Sequence, residues 1–226
     1  MEATPEAPAI VVLSAGLGVP SSSRLLADQL SAAAVRYASE AGLEPAVRVF
    51  ELRELAVDIA NNFVTGYAAP SLAEAISAVE SADAVIAVSP VFSASYSGLF
   101  KSFIDLLDPK SLDGTPVLLG ATGGSERHSM VLDAAMRPLF AYLRARTVAT
   151  AVYAAPMDWG QGPAGTGAAG GLTARIERAA AELAKELAAG RVPGSEASRS
   201  ESARTASTRP EDKSFEELLA GLTAAR

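Results

Sequence analysis

The stretch Ser14-Ala-Gly-Leu-Gly-Val-Pro-Ser-Ser-Ser-Arg24 sets four serine hydroxyls, two glycines and a guanidinium between an apolar, strand-like run and a helix-like run. A helix start leaves backbone N–H groups without partners and carries a partial positive charge, so it binds phosphate readily. Ser21, Ser22 and Ser23 add hydroxyl donors and Arg24 adds a cation, whereas capping the helix needs only one serine. The pattern suits a terminal phosphomonoester, which offers several acceptor oxygens. A dinucleotide fingerprint competes for the same residues. Gly16-Leu-Gly18 followed by Ser21 approaches G-x-G-x-x-G, with Glu51 as the ribose acid. Serine at the third glycine position hinders close helix–strand packing, and Glu51 stands further along than that motif places its acid, so this reading is the weaker one.

Two further loops carry chemistry-bearing residues. Pro90-Val-Phe-Ser-Ala-Ser-Tyr-Ser-Gly98 holds two aromatics among small polar residues. Such a loop lines the edge and face of a flat ring, or packs its aromatics on the core. Ala121-Thr-Gly-Gly-Ser125 pairs two glycines, which let backbone approach a ligand closely. His128, just beyond, is compatible with a helix cap, a ligand contact or plain surface. Lys101 reads as a solvated charge or a salt-bridge partner, with Asp105 at i, i+4. Trp159 reads as a packing residue at an interface.

These loops must be positioned by a sheet. Apolar runs at Ala9–Ala15, Ala46–Phe50, Ala84–Ser89, Pro116–Ala121 and Thr147–Tyr153 read as five strands. They alternate with helical patterns at 22–41, 71–80, 98–107, 129–145 and 172–189. Ser71 is the expected N-cap of the second helix, with Glu74 at the capping-box position. Pro138 is expected to kink or restart the fourth. Residues 52–70 and the Pro90–Gly98 loop read as irregular, and 160–171 as glycine-rich and mobile. Strands of near-continuous apolar residues separated by helices imply a parallel sheet covered on both faces. In such a sheet ligands bind outside the carboxyl ends of the strands, where the three loops above lie.

Composition narrows the function. The chain has 226 residues, 49% hydrophobic and 20% charged, with a net charge of −7. An acidic chain gains nothing from counterion release, so nucleic acid is not an expected partner. No cysteine and a single histidine exclude disulfides, thiolate catalysis, iron–sulfur clusters and a multi-histidine metal site within the chain. Residues 1–8 form an N-terminal arm without the features of a signal peptide, and no apolar run reaches membrane-spanning length. The expectation is a soluble, cytoplasmic protein. Its core domain covers 9–190, a polar linker 191–213, and an amphipathic helix 214–226 marked by Phe215, Leu218, Leu219 and Leu222.

In order after the right strands, these three patterns resemble the NADPH-dependent FMN reductases, in particular an actinobacterial branch linked to luciferase-like monooxygenases. The resemblance spans about 10–160. It rests on the serine-rich loop 14–24, on Pro90-Val-Phe92 followed by Gly98, Lys101 and Asp105, on Thr122-Gly-Gly124, on the run 124–129 and on Asp158-Trp159-Gly160. It implies a flavodoxin-like doubly wound five-stranded parallel sheet of order 2-1-3-4-5 with helices on both faces. It implies FMN phosphate at Ser14, Ser21, Ser22, Ser23 and Arg24, and flavin beside Pro90, Val91, Phe92, Ser93, Thr122, Gly123 and Gly124. Phe92 and Ser93 depart from the tyrosine and asparagine common in the family.

The resemblance further implies NADPH or NADH as reductant, hydride transfer from nicotinamide to flavin N5, and no catalytic acid–base pair. Free flavin is then a substrate, a luciferase-like monooxygenase a recipient of reduced flavin, and a homodimer or homotetramer the expected assembly. Arg127, Arg137 and Arg144 are the candidates for a 2′-phosphate. A quinone, azo-dye or chromate reductase, or a flavodoxin-like electron carrier, are the alternatives.

Overall fold

The computed structural model describes residues 7–159 and 171–190. The chain divides into two units, Met1–Ala189 and Gly190–Arg226. The glycine-rich segment 160–170, the linker and the C-terminal stripe lie outside the described residues.

Seven strands form one sheet: β1 (Ala9–Ser14), β2 (Ala46–Glu51), β3 (Ala84–Phe92), β4 (Ser95–Tyr96), β5 (Pro116–Thr122), β6 (Arg146–Thr147) and β7 (Val152–Ala154). The main path runs β2-β1-β3-β5-β6, with β7 also on β5 and β4 attached to β3. All pairs are parallel except β3–β4. This is the expected order, because β6 and β7 share the fifth position. β1 therefore has β2 on one side and β3 on the other, and the crevice opens at this reversal.

Seven α-helices accompany the sheet among the described residues: α1 (Ser22–Glu40), α2 (Ala56–Thr65), α3 (Pro70–Glu80), α4 (Gly98–Ile104), α5 (Arg137–Tyr142), α6 (Pro156–Trp159) and α7 (Leu172–Ala189). Side chains alternate across each strand. Ile10 and Val12 of β1 join a core built with α1 and α7. Val11 and Leu13 join the opposite core, built with Ile59 of α2, Leu72 of α3, Phe100 of α4 and Phe140 of α5. Burial on both faces explains why the strands read as unbroken apolar runs. No described helix is long and apolar enough to cross a membrane.

The structure corrects five details. The fifth strand is broken: three steps along β5, Val117 to Gly120, face five in the partner, Thr147 to Val152. The Arg137 guanidinium donates to Thr147 Oγ1 and to the carbonyls of Val148 and Ala149, while Glu182 accepts from the N–H and hydroxyl of Thr150. Side chains thus satisfy backbone groups that the ladder leaves unpaired.

The segment read as irregular contains a 3₁₀ turn, Leu52–Leu55, and the ten-residue α2. Leu52, Leu55 and Ile59 are buried, but Val57, Phe63, Val64 and Tyr67 are exposed. The apolar residues of α2 fall on one helical side, opposite Asp58, Asn61, Asn62 and Thr65, but the run spans fewer than three turns. Helix α3 starts one residue early, with Pro70 in its first turn and no side-chain cap. Proline there lacks an N–H to satisfy. Ser71 instead donates to Asp58, and Glu74 pairs with Arg48.

In the predicted helix 129–145, a π-helical turn at Leu132–Met136 precedes α5. The wider turn accommodates Pro138, whose ring would collide with the carbonyl four residues back in a regular helix. Finally, Pro90–Tyr96 is a hairpin. β3 runs on to Phe92, and Ser93 and Ala94 make a two-residue turn with φ of 49° and 62°. Positive φ at both positions is the type I′ geometry that right-handed strand twist favours, and glycine and asparagine usually fill it. Ser-Ala carries no such signal.

Candidate functional site

Six polar residues are buried among the described residues: Ser14, Ser23, Ser31, Ser89, Ser97 and Thr122. All but Ser31 lie at the carboxyl edge of the sheet, in strand ends or the turns that follow. Apolar packing dominates elsewhere, so this edge is where the fold accepts the cost of burying hydroxyls.

Four of these five hydroxyls have partners. Ser23 Oγ and Thr122 Oγ1 share a hydrogen bond of 2.7 Å, which ties the first turn of α1 to the end of β5. Ser89 Oγ donates to the Pro90 carbonyl and accepts from Ser97 N–H. Ser97 Oγ accepts from Phe100 N–H and caps α4. Ser14 Oγ is the exception: it is buried and has no hydrogen-bond partner. An unmatched buried hydroxyl costs on the order of 1–3 kcal/mol. This one closes β1, beside the start of α1.

The turn from β1 to α1 is shaped around it. Ser21 is the N-cap, and its Oγ accepts from Arg24 N–H at 3.2 Å. Gly16 lets the turn pack closely: a Cβ there would stand 1.9 Å from Ser21 Oγ and 3.1 Å from the Cβ atoms of Ser21 and Ser23. Ser22 is exposed. An orphaned hydroxyl and free amides at a helix start, in a turn that only glycine lets close, fit an anion such as phosphate. Among the expected phosphate residues, Ser14, Ser21 and Ser22 stand here with hydroxyls open to a ligand or lightly committed. Ser23 is held by Thr122.

Arg24 is also engaged. Its Nε donates to Asp28 at 2.8 Å and its Nη1 to Glu51 at 2.7 Å. The Asp28 hydrogen bond, followed by the charges of Asp28 and Glu51, raises the guanidinium's proton affinity against the opposing effect of its burial.

The other two loops meet this one. Pro90 pairs with Thr122 across β3 and β5. A Cβ on Gly123 would sit 3.4 Å from Val91 Cβ and only 2.2 Å from Tyr153 Oη. Gly124 has open space where its Cβ would stand. Phe92 is 47% exposed, at the rim. Gly123 N–H donates to the Ala154 carbonyl, so its backbone donor is used within the fold. The edge therefore brings Ser14, Ser21, Ser22, Ser23, Pro90, Val91, Thr122, Gly123 and Gly124 into one neighbourhood.

Two supports were not legible in the sequence. Tyr153 donates from Oη to the Ser125 carbonyl at 2.7 Å and braces the glycine pair. Asp158 accepts from Ala155 N–H and from Arg175, which also donates to the Tyr153 carbonyl. A tyrosine inside an apolar strand looks like core until its hydroxyl is seen to reach a loop. Burial, then the charge of Asp158, raises the pKa of Tyr153 above the ordinary phenol value. Its neutral form is thus favoured in the fold. That contribution is present below about pH 10 and is lost as pH rises through the higher folded value. Tyr153→Phe is expected to flatten the alkaline limb of stability, read by thermal melts from pH 8 to 11.

Among the other candidates, His128 is exposed in a one-turn 3₁₀ helix, Glu126–His128. Lys101 pairs with Asp105 at 2.6 Å, as the spacing implied. Trp159 packs on the α1–α7 core. Arg144 lies beside Gly114 and Asp113, before β5 begins, at the opposite edge of the sheet. Arg137 is committed to the fifth-strand bulge. Of the three arginines weighed for a 2′-phosphate, only Arg127 stands on a carboxyl-edge loop.

The chain is similar to known proteins. Residues 8–160 match the family described as NADPH-dependent FMN reductase. An FMN reductase (NADPH) of Pseudomonas aeruginosa is 43% identical over 112 residues, half of this chain and 60% of its own length. An NADH-dependent FMN reductase, SfnE, of Pseudomonas putida is 35% identical over 178 residues, covering 79% of this chain and 91% of its own. A crystal structure of an oxidoreductase from Corynebacterium diphtheriae superposes with a TM-score of 0.75 at 43% identity, over 80% of this chain and 97% of that one. A flavodoxin-like sheet, a serine-lined helix start and these similarities converge: the chain belongs to the NADPH-dependent FMN reductase family.

Proposed function

We propose that this protein is an NAD(P)H-dependent FMN reductase that holds the FMN phosphate at the start of α1. The observation carrying the reading is the buried, unpartnered Ser14 hydroxyl beside the close-packed turn at Gly16. Ser14 and Ser21 would donate to phosphate oxygens from within the turn, and Ser22 from its outer side. The amides of the first turn of α1 would complete the cradle. Pro90, Val91, Phe92 and Ser93 would flank the flavin on one side, and Thr122, Gly123 and Gly124 on the other. When bound, FMN supplies the acceptor for the nicotinamide hydride.

The protein's part is to orient. The I′ hairpin fixes the backbone of Ser93, and Tyr153 fixes that of Gly123–Ser125. The exposed rim at Phe92 leaves one side accessible to NAD(P)H and then to an acceptor. Free flavin as that acceptor, and a luciferase-like monooxygenase as recipient of the reduced flavin, follow from the family resemblance. So does a homodimer or homotetramer, which the exposed Val57, Phe63, Val64 and Tyr67 favour. A cytoplasmic location fits a reaction that draws on NAD(P)H.

Ser21→Ala with Ser22→Ala is the direct test of the phosphate cradle. Hydrogen bonds to a charged group contribute about 1.5–3 kcal/mol each, so KM for FMN should rise at least about tenfold. KM for riboflavin, which lacks the phosphate, should change less than about twofold on the same reasoning. Equal changes for both flavins would refute the cradle.

A further inference from the structure

The charge arrangement beside the helix start is unexpected for a phosphate site. Glu51 ends β2 and is the register neighbour of Ser14 in β1. Its side chain is only 17% exposed, and its two oxygens bind two arginines: Oε1 takes Arg24 Nη1 at 2.7 Å and Oε2 takes Arg53 Nε at 3.0 Å. Asp28 takes Arg24 Nε at 2.8 Å, and Glu54 takes Arg53 Nη2 at 3.5 Å. Two guanidiniums thus face three carboxylates, and the cluster is net negative by one charge. Arg24, the cation nearest the phosphate turn, is offset on two edges by acids. A site built for tight retention of a dianion would leave that guanidinium free.

We propose that Glu51, acting through Arg24, sets a deliberately loose grip on the flavin phosphate so that FMN exchanges as a substrate and product. This rests on the phosphate cradle proposed above. Glu51 withdraws the Arg24 charge from the ligand and places a carboxylate next to Ser14. It is a positioning residue, and it touches neither flavin nor nicotinamide.

The test uses the full-length protein and free FMN and riboflavin as probes, with dissociation constants from flavin fluorescence quenching. Glu51→Gln keeps the shape and removes the charge. Releasing one edge of the Arg24 guanidinium to the phosphate adds a charge-assisted hydrogen bond, which strengthens binding by about tenfold or more. The Kd for FMN should therefore fall about tenfold in Glu51→Gln, with the riboflavin Kd unchanged. Slower release should also lower kcat with free FMN as acceptor. Glu51→Asp should restore the looser FMN binding. Asp28→Asn, which relieves the other acid on a solvent-exposed helix face, should tighten FMN in the same direction and guards against a folding defect in Glu51→Gln.

Unchanged or weaker FMN binding in both charge-removing variants would overturn the proposal, since it would mean that the acids aim Arg24 at the phosphate instead of diverting it. The cradle itself is read separately, from the wild-type ratio of riboflavin to FMN dissociation constants. A ratio near one would overturn the cradle, and the role of Glu51 with it. A large ratio with no effect of Glu51→Gln or Asp28→Asn would overturn only the latter.

Discussion

Gly16→Ala is expected to weaken FMN binding by at least about a hundredfold while the protein still folds. The added Cβ would stand 1.9 Å from Ser21 Oγ. Ser21 can rotate away, but it then stops accepting from Arg24 N–H and α1 loses its cap. Loss of a serine cap costs about 1 kcal/mol, which a domain of this size tolerates. Rotation alone does not suffice, because Ser21 Cβ and Ser23 Cβ would lie 3.1 Å away and Ser23 is anchored on Thr122. The backbone of the turn must shift, and the amides and hydroxyls at the start of α1 lose their common focus. Losing two charge-assisted hydrogen bonds at about 1.5–3 kcal/mol each accounts for the hundredfold. Fluorescence titration reads the affinity and a thermal melt reads the fold. Near-normal FMN affinity in a folded Gly16→Ala protein would show that this turn is not where phosphate binds.

The second large effect falls on stability as well as on flavin. At Gly123 a Cβ would lie 2.2 Å from Tyr153 Oη. Tyr153 is 4% exposed, and its hydroxyl is tied to Ser125, so the ring has little room to retreat. Overpacking of this kind costs roughly 1–3 kcal/mol. Gly123→Ala is therefore expected to lower the melting temperature by about 4–10 °C and to raise KM for FMN. Gly124→Ala should leave the melting temperature unchanged, because nothing stands within 4 Å of its missing Cβ. Adding Tyr153→Phe to Gly123→Ala removes the colliding oxygen and should recover part of the lost stability. Equal melting temperatures for Gly123→Ala and the wild type would show that the loop yields freely and that Tyr153 does not brace it.

The parts of this site that were legible in the sequence share a property. Serines in succession at a strand-to-helix junction, and paired glycines after a buried strand, have few uses other than backbone approach and anion binding. Their position along the chain sufficed, because parallel connectivity sends the ends of β1, β3 and β5 to the same edge. What stayed hidden depends on partners distant in sequence. Arg24 reads as a phosphate cation until Glu51, 27 residues on, is seen to hold it. Ser23 reads as a ligand donor until Thr122, 99 residues away, is seen to share its proton. The β3–β4 hairpin was missed because Ser93 and Ala94 adopt left-handed conformations that local propensity assigns to glycine or asparagine. α2 was missed because its ten residues make fewer than three turns, too short a run for the helical pattern to stand out.

The account depends most on where the phosphate sits, and a crystal structure of the protein with FMN reads that position directly. The expected result is a phosphate at the first turn of α1, accepting hydrogen bonds from Ser14 Oγ and from amides at residues 21–23. A phosphate bound at another edge of the sheet, with Ser14 still unpartnered, would contradict it.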